Sequence, residues 1–504
     1  MERVDLLPPP TGADPAARDD IAARADAYAA APLLNCLLRE VAQPLPGPAE
    51  RPVYRLPDGR LLRVRAGRRP AEPEVYADAA WQPLGHDALV RLVTEELHRH
   101  TGLSNRELPV EMADSRDAVD ALLRARQRAL PPDDPYLRSE QSLLTGHTHH
   151  PAPKARGGGP HTGWLPYAPE AHARFPLVLL GVREDTVVEE GDTRALDALA
   201  EAPPGYRTLP AHPWQLDLTR AALEAAFADG RLVRLGTTSF PAWPTAAIRT
   251  VYAPERDLFL KFSLDVRITN DVRRLWRDDL LRLRRTDTAV AEAFAAIGPP
   301  AAWLDDRGYR TADFAFEELA VVVRDGLRGR LLPGTTALIA ASLVEADSPL
   351  ERAADPAAWW IAYLAAVVPP VLTAFADDGV VLEAHLQNTL VAVDADGTPV
   401  QALFRDAEGV KLLPETPRAA GWERLVYCLV VNHLHEIAGV LAEHHGLDPW
   451  PAVRRELARH DLPEIPALLA SPTLPGKTNL LLRWTGADGA AARYRPLPNP
   501  LCRA

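Results

Sequence analysis

The chain begins with hydrophobic residues spaced as in helices. Over residues 15–45, and again over 87–130, apolar positions recur at intervals of three and four, which is the spacing of one buried helix face. The prolines and aspartates at 131–135 then interrupt this pattern. The sequence therefore predicts a mostly helical first domain over residues 1–140.

Short runs of β-branched and aromatic residues dominate the middle of the chain. Proline, glycine and aspartate separate them, as expected for strands joined by turns. The predicted strands lie at residues 175–182, 249–253, 258–264 and 316–325. Asp325-Gly326 has the composition of a hairpin turn. We therefore predict an α+β domain with a largely antiparallel sheet over residues 141–344.

Helical spacing returns over residues 345–504, interrupted by two predicted strands that meet around an Asp-Ala-Asp-Gly turn. Within this region, residues 356–376 carry no charge and are long enough to cross a bilayer. However, Pro369-Pro370 interrupts the stretch, and no cluster of basic residues flanks it. We therefore predict a buried core helix in a third, mainly helical domain.

Composition limits the classes of function. The net charge is −12, whereas a general binder of nucleic acid or of anionic membranes needs a basic face, so neither partner is predicted. Three distant cysteines provide neither a disulfide framework nor a metal-binding pair. The first twenty residues lack a basic segment followed by an apolar stretch, so a cytoplasmic location is predicted.

Lysine is rare in this chain. Of the 56 basic residues, only Lys154, Lys261, Lys411 and Lys477 are lysines. A guanidinium does not replace a compact ammonium group, so these four positions indicate candidate binding sites.

Residues 146–159, GHTHHPAPKARGGG, combine histidines, cations and glycines. The glycines at 157–159 would let backbone N–H groups approach a ligand closely. Lys154 and Arg156 favour an anion over the metal ion that three histidines would otherwise suit. The sequence thus favours an anion cradle, and a metal site or a solvated loop are the alternatives. The histidines are His147, His149 and His150.

A second group of cations follows in the predicted sheet. Alternation along the strand at 258–264 places Lys261 on one face and core residues on the other. Thr269 and Asn270 are predicted to begin a helix, whose free N–H groups would add to an anion site. A solvated sheet edge is the alternative. The residues predicted to converge on a polyphosphate are Arg249, Lys261, Thr269 and Arg273.

The predicted hairpin of the third domain carries polar residues. Strand spacing places Glu383, His385 and Gln387 on one side, where Asp406 of the partner strand would meet them. Glutamate, aspartate and Asn388 oxygens near a triphosphate are ligands that Mg²⁺ accepts. A buried polar network is the alternative.

Four motifs occur in order: GHxxHPxxKxRxG, xPxHPWQ, PTxxxRT…LKFSLxVxIT…R and EAHxQNTL…RDxEG. With these spacings, the chain resembles the NRPS-independent siderophore synthetases of the aerobactin-synthetase-like type over residues 33–484. The resemblance implies a cupped-hand architecture of helical thumb, antiparallel-sheet fingers and mainly helical palm with a catalytic hairpin. It also implies an ATP- and Mg²⁺-dependent ligase of siderophore biosynthesis, which adenylates a carboxylate such as citrate and condenses it with an amine or hydroxyl.

The resemblance further implies roles for single residues, a small-molecule carboxylate and an amine or hydroxyl compound as substrates, and a homodimer. The implied catalytic residues are His150, Lys154, Lys261, Arg273 and His385. The implied nucleotide-binding residues are His147, Lys154, Arg156, Arg249, Thr250, Lys261, Thr269, Arg273, His385, Gln387 and Lys477. The implied Mg²⁺ ligands are Glu383, Asn388 and Asp406.

The chain departs from the family pattern at two positions. Ala247 replaces a serine two residues before the motif arginine, and Thr148 replaces a proline of the first motif. Other functions also remain open. They are a small-molecule kinase, for which a glycine-rich lid and a catalytic aspartate are missing, a family member that binds nucleotide without turnover, and a ligase that makes another chelator or natural product.

Overall fold

The helices predicted near the start of the chain are present in the structure. This computed structural model describes residues 15–157, 159–487 and 494–503. Buried leucines of the first helix pack against buried leucines and valines of the second, as the predicted spacing requires. The helices of this region are α1 (Pro15–Glu40), α2 (His86–Thr101), α3 (Glu107–Arg126) and α4 (Pro135–Glu140).

A five-stranded antiparallel sheet, which the sequence analysis missed, lies between α1 and α2. Its strands pair in chain order, so the first region combines the predicted helices with a sheet that was not predicted. The strands are three to seven residues long and rich in arginine, glutamate and proline. The alternation of apolar and polar residues is therefore too short to be detected in the sequence. They are β1 (Gln43–Leu45), β2 (Val53–Arg55), β3 (Leu61–Arg65), β4 (Ala71–Ala77) and β5 (Ala80–Pro83).

The middle of the chain forms antiparallel sheets, as predicted. A six-stranded sheet has the order β10-β11-β12-β17-β16-β7, and β8-β6-β9 form a smaller one. The elements are β6 (Val178–Arg183), β7 (Val187–Gly191), β8 (Tyr206–Ala211), β9 (Leu232–Thr237), β10 (Trp243–Pro244), β11 (Thr250–Ala253), β12 (Leu258–Phe262), β13 (Leu264–Ile268), β14 (Asp271–Arg273), β15 (Ala302–Leu304), β16 (Asp306–Ala312), β17 (Val321–Asp325) and β18 (Thr336–Ile339), with α5 (His161–Trp164), α6 (Arg194–Asp197), α7 (Pro213–Leu218), α8 (Arg220–Ala228) and α9 (Arg277–Ile297).

The hairpin predicted at Asp325-Gly326 is wrong. The backbone N–H groups of Leu327 and Arg328 donate to the Asp257 carboxylate at 2.9 and 3.0 Å. This side chain closes the turn, and β17 pairs with β12 and β16 instead of a following strand.

The last part of the chain is mainly helical and includes the predicted hairpin, β20–β21. The elements are α10 (Pro356–Asp377), β19 (Val380–Val381), β20 (Thr389–Val393), β21 (Pro399–Arg405), β22 (Lys411–Leu412), α11 (Arg418–Leu425), α12 (His435–His445), α13 (Trp450–Leu457), α14 (Glu464–Ala470), β23 (Thr473–Lys477), α15 (Asn479–Trp484) and β24 (Tyr494–Pro498). π-helical turns over Val426–Leu434 join α11 to α12.

One sheet connects the middle and the end of the chain. A four-stranded sheet, β15-β21-β20-β18, crosses the border predicted at residue 344.

The uncharged stretch at 356–376 lies within α10, which continues through both prolines and buries Tyr363, Val367 and Phe375 completely. The prediction of a core helix is therefore confirmed for this segment.

Candidate active site

Lys261 lies near the end of β12, between β11 and β17. Three residues of the same strand, Leu258, Leu260 and Phe262, belong to one core cluster. Phe259 packs in a second cluster, and the strand alternation places Lys261 on the same side as Phe259. The lysine side chain is only 4% exposed. The strand therefore directs a buried ammonium group away from the first core, as predicted.

Two carboxylates from the end of β21 bind this ammonium group. Lys261 Nζ lies 2.5 Å from Asp406 Oδ1 and 2.6 Å from Glu408 Oε2. Burial by itself would raise the pKa of Asp406, but Lys261 and Arg324 hold it well below its ordinary value. The sequence analysis did not single out Glu408, although the glutamate of the RDxEG motif was an available signal.

Arg249 extends this ionic cluster. Its Nη2 lies 3.1 Å from Glu408 Oε2, and its Nη1 donates to the carbonyls of Arg273 and Arg274 at 3.1 and 2.9 Å. The preceding residue, Ile248, has a φ of +63°, which is rare for a β-branched side chain. This turn directs the guanidinium toward the carboxylate that also binds the lysine.

Thr269 and Asn270 form a hairpin turn between β13 and β14, not the predicted start of a helix. The segment before them alternates buried and more exposed residues, so it continues as a strand, and Thr269 turns the chain with a φ of +60°. The site therefore has no helix N-terminus here. Arg273 Nη2 donates to Thr269 Oγ1 at 2.6 Å. Burial and the neighbouring Arg249 lower the pKa of Arg273.

His385 lies in a turn before β20, so the prediction that residues 383, 385 and 387 alternate along a strand is wrong. The turn is closed by its own backbone, because Asn388 N–H donates to the His385 carbonyl at 3.0 Å. The N–H of Gln387 donates to His385 Nδ1 at 3.3 Å, which assigns the ring hydrogen to Nε2. Burial lowers the pKa of His385, although the carboxylates of Glu383 and Asp406 act in the opposite direction.

The implied Mg²⁺ ligands surround this turn. Glu383 forms an ion pair with Arg424 and covers Gly409 so closely that an added Cβ would lie 1.8 Å from its Oε2. Within the described residues, no three His, Cys, Asp or Glu side chains are grouped so that they could hold a metal ion. Mg²⁺ commonly takes one or two carboxylates together with phosphate oxygens. Glu383, Asn388 and Asp406 carry oxygens of the kind that Mg²⁺ accepts, but a ligand role for them stays a prediction, since Glu383 and Asp406 are paired with Arg424 and Lys261.

The first motif forms a packed loop, not a solvated one. Thr148 Oγ1 donates to Glu436 Oε2 at 3.0 Å, and His149 Nε2 lies 3.3 Å from Oε1 of the same glutamate. His150 is buried and accepts a backbone hydrogen bond at Nδ1, whereas His147 is exposed. The three histidines thus have different surroundings. Gly158, the middle glycine of the predicted cradle, lies outside the described residues.

The cations of this loop have a protein partner. Lys154 Nζ and Arg156 Nη2 lie 2.5 and 2.9 Å from Glu170 Oε1, and all three residues are buried. Lys154 also donates to the Leu143 carbonyl. This differs from the sequence expectation of cations that face phosphates. A phosphate role for either residue stays a prediction, and it would require these ion pairs to break.

The remaining predicted residues lie at the edges of the cluster. The Thr250 carbonyl accepts two hydrogen bonds from Thr245, both 2.9 Å long, and the Gln387 carbonyl accepts from Arg405. Lys477 is partly buried, and its pKa is lowered by burial, although the Asp271 and Glu383 carboxylates oppose this shift.

The sequence analysis missed the ion pairs that support the cluster. Arg324 binds Asp306 through two hydrogen bonds of 2.6 and 3.0 Å and approaches Asp406 Oδ1 at 3.3 Å. Such partners are distant in sequence, and no local pattern indicates them. The backbone conformation also marks this site, because Ile248, Thr269 and Asp406 all have positive φ angles. Strained backbone of this kind concentrates at functional sites.

Relatives of known name match about three quarters of the chain. The profile of the IucA / IucC family matches residues 135–345. The rhizobactin siderophore biosynthesis protein RhbC of Rhizobium meliloti is 30% identical over 472 residues, which cover 77% of this chain and 80% of that protein. The L-2,3-diaminopropanoate–citrate ligase of Staphylococcus aureus is 29% identical over 444 residues, which cover 73% and 75%.

Solved structures share the fold. ATP-bound aerobactin synthetase IucA from Klebsiella pneumoniae superimposes with a TM-score of 0.81 at 23% identity, covering 94% of this chain and 99% of that one. The petrobactin biosynthesis protein AsbB from Bacillus anthracis gives 0.80 at 16% identity, covering 96% of both chains. The predicted α+β class is therefore confirmed.

A second profile, described as a ferric iron reductase FhuF-like transporter, matches residues 357–492. An iron–sulfur cluster would need several cysteine thiolates as ligands. This segment contains one cysteine, Cys428. In the part of the chain that the structure describes, two helices reach the length and hydropathy of a membrane span, Pro356–Asp377 and Arg418–His445, but 61% and 78% of their most apolar stretches are buried inside the protein. We therefore assign neither iron reduction nor transport to this protein.

The four ordered motifs, the profile over residues 135–345 and the relative at 30% identity agree with one another. The fold of the solved relatives extends over nearly the whole chain. The chain therefore belongs to the IucA/IucC family, the NRPS-independent siderophore synthetases of the aerobactin-synthetase-like type.

Proposed function

We propose that this protein is an ATP-dependent ligase of siderophore biosynthesis, which adenylates a citrate-like carboxylic acid and condenses it with an amine or hydroxyl. One observation carries the proposal. Lys261 and Arg249 meet Asp406 and Glu408 in a single ionic cluster beside His385. The names of the relatives support the reaction class, since they include ligases that join citrate to L-2,3-diaminopropanoate and to spermidine.

In the first half-reaction, a carboxylate oxygen of the acid attacks the α-phosphorus of ATP, and pyrophosphate leaves. Negative charge then builds on the phosphoryl oxygens. Lys261 and Arg249 exchange their carboxylate partners for phosphoryl oxygens when ATP binds, and together with Arg273 they are then positioned to stabilise this charge. When bound, Mg²⁺ held by Glu383, Asn388 and Asp406 would neutralise part of the triphosphate charge.

In the second half-reaction, the amine attacks the acyl carbon, an amide bond forms, and AMP leaves. The attacking amine must be uncharged. His385 is neutral near pH 7 because burial lowers its pKa. Its Nδ1 can accept the proton that the amine loses, once the amine replaces the long 3.3 Å hydrogen bond from the Gln387 N–H at that atom. A hydroxyl nucleophile would need the same base.

Product analysis tests this proposal. The purified protein is incubated with ATP, Mg²⁺, citrate and a panel of diamines and polyamines, and nucleotide products are separated. We expect AMP and pyrophosphate, together with an amide of citrate. Formation of ADP would instead identify a small-molecule kinase. Tight ATP binding without turnover on any carboxylate would identify a nucleotide-binding family member without activity.

The comparison of nucleophiles extends the same experiment. A citrate–amine product that binds Fe³⁺ would support siderophore biosynthesis, and a product without chelating groups would point to another metabolite. The homodimer and the cytoplasmic location stay predictions, and sedimentation velocity and cell fractionation test them.

A further inference from the structure

One buried ion pair lies behind the two loops that carry Arg249 and His385. Glu140 ends α4 and Arg405 ends β21. Their side chains are 0% and 5% exposed, and Arg405 Nη1 lies 2.6 Å from Glu140 Oε1. The Tyr136 hydroxyl donates to the same oxygen at 2.8 Å. The pair thus joins residues that are 265 positions apart.

Each member of the pair also binds one of the loops. Glu140 Oε2 accepts the N–H of Ala246 at 3.0 Å, in the tight turn that precedes Arg249. Arg405 donates from Nη2 and Nε to the Gln387 carbonyl at 2.9 and 3.3 Å, in the turn that holds His385. One ion pair therefore connects both loops from their buried side.

We propose that Glu140 and Arg405 are positioning residues, which set the distance between the 245–249 turn and the 383–388 turn so that Arg249 and His385 reach the same nucleotide. This inference rests on the proposed function. Buried ion pairs contribute little net stability compared with apolar side chains of similar volume. Their fixed geometry, in contrast, orients every group that they bind.

The turn before Arg249 needs such an anchor. Ile248 has a left-handed backbone, with a φ of +63°, which is unfavourable for a β-branched residue outside a supporting structure. The turn is otherwise closed by its own short-range bonds, including Thr245 N–H to the Thr250 carbonyl. The bond from Ala246 to Glu140 is the contact that relates this turn to the other loop.

The test compares Glu140→Gln with a matched control, Glu189→Gln. Glu189 Oε2 lies 2.7 Å from Nε of Arg310, whose side chain is fully buried, in the part of the six-stranded sheet formed by β7 and β16. Both changes remove one carboxylate from a buried guanidinium. Arg310 keeps Asp197, whose Oδ1 lies 2.7 Å from its Nη1, and only Glu140→Gln also alters the acceptor of the Ala246 N–H. We measure pyrophosphate release, ATP binding, thermal unfolding and amide hydrogen exchange.

We expect Glu140→Gln to lower kcat for pyrophosphate release at least tenfold at a temperature where both variants are folded. Amide exchange should become faster at Ala246 and over residues 385–388. Glu189→Gln should retain kcat within twofold and leave exchange at these residues unchanged. Arg405→Lys serves as a second variant, because it keeps the charge but loses the double contact to Gln387, and it should also lower kcat.

Unchanged kcat and unchanged local exchange in Glu140→Gln, whatever its loss of thermal stability, would overturn the positioning role. Failure of the proposed function has a different signature, since the wild-type protein would then release no pyrophosphate with any carboxylate. In that case, hydrogen exchange of the two loops in Glu140→Gln still decides whether the pair holds them. If Glu140→Gln does not fold, Arg405→Lys provides the same comparison.

Discussion

Lys261 Nζ and Asp406 Oδ1 lie 2.5 Å apart, although 145 residues of chain separate them. The lysine comes from a strand of the antiparallel sheet, and the aspartate from the end of the last strand of the hairpin. With Glu408 and Arg249, they form a cluster that contains two cations and two carboxylates. A triphosphate with its metal ion supplies both kinds of partner, so it can replace these internal pairs with equivalent ones.

The first prediction concerns Lys261. Lys261→Met keeps most of the side-chain length but removes the charge, so we expect ATP affinity to fall by about a hundredfold, equivalent to roughly 3 kcal/mol. Calorimetric titration with Mg²⁺–ATP measures this change. Lys411→Met is the control, since Lys411 is exposed and its replacement should leave affinity unchanged. Equal affinities for both variants would contradict the assignment.

The second prediction uses two arginines of one hairpin. Arg273→Ala should leave a folded protein whose rate of pyrophosphate release falls by about a hundredfold or more, because one fixed contact to the leaving group is lost. Arg267 is exposed in the adjacent strand and donates to the Asn270 carbonyl at 2.6 Å. Arg267→Ala should therefore release pyrophosphate at nearly the wild-type rate. Near-normal release by Arg273→Ala would exclude it from the phosphate site.

The third prediction concerns the pH dependence of the reaction. Burial lowers the pKa of His385, and Arg424 lowers it further by a smaller amount. The carboxylates of Glu383 and Asp406 raise it, but they do not outweigh burial. The ring therefore stays neutral until the pH falls below the ordinary histidine value of about 6.5. We expect the acidic limb of the kcat profile to have its midpoint below that value, because protonation removes the base.

His385→Gln should abolish this acidic limb together with most of the activity. His100→Gln is the control, since His100 is exposed at the end of α2, and it should leave the profile unchanged. An acidic midpoint at or above the ordinary histidine pKa, or a limb that persists in His385→Gln, would refute the assignment.

The fourth prediction concerns stability. Burial by itself would raise the pKa of Glu170, but Lys154 and Arg156 hold it at about 2. A carboxylate whose pKa is lower in the folded state stabilises the protein above its unfolded pKa. This contribution is therefore complete above about pH 4.5 and is lost as the pH falls toward 2. Glu170→Gln should cost about 3–5 kcal/mol at neutral pH, since two buried cations lose their partner.

Urea unfolding at several pH values measures this effect, and the difference from the wild type should shrink in acid. Glu184→Gln, at an exposed position, should change the free energy of unfolding by less than about 0.5 kcal/mol. A constant difference between Glu170→Gln and the wild type down to pH 2 would show that the stability contributed by Glu170 does not depend on its negative charge.

Much of the architecture could be predicted from residue patterns. Alternation along β12 was enough to separate Lys261 from its apolar neighbours, and helical spacing located α1 to α3. The small sheet of β1 to β5 was missed, because its strands are short and its charged residues bind one another on the exposed side, as in the pair of Arg63 with Glu74.

The residues of the candidate site could be predicted where they belong to a sequence motif. Contacts that form only when distant parts of the chain fold together could not be predicted. The segment at 383–388 alternates like a strand but is bent by hydrogen bonds within its own backbone. Glu140 and Arg405 belong to no shared pattern, because nothing local relates two residues on separate elements. Ion pairs of this kind follow from tertiary structure and are found only after the chain has been folded.

The sheet of β15, β21, β20 and β18 has a consequence for how such proteins evolve. It interleaves strands from both profile segments, so neither segment is a portable module. A gene fusion or fission that separated them would break the β15–β21 and β18–β20 pairings and divide the ionic cluster. The two halves must therefore be inherited together, and changes of substrate should arise by point substitution around the ionic cluster and not by exchange of halves.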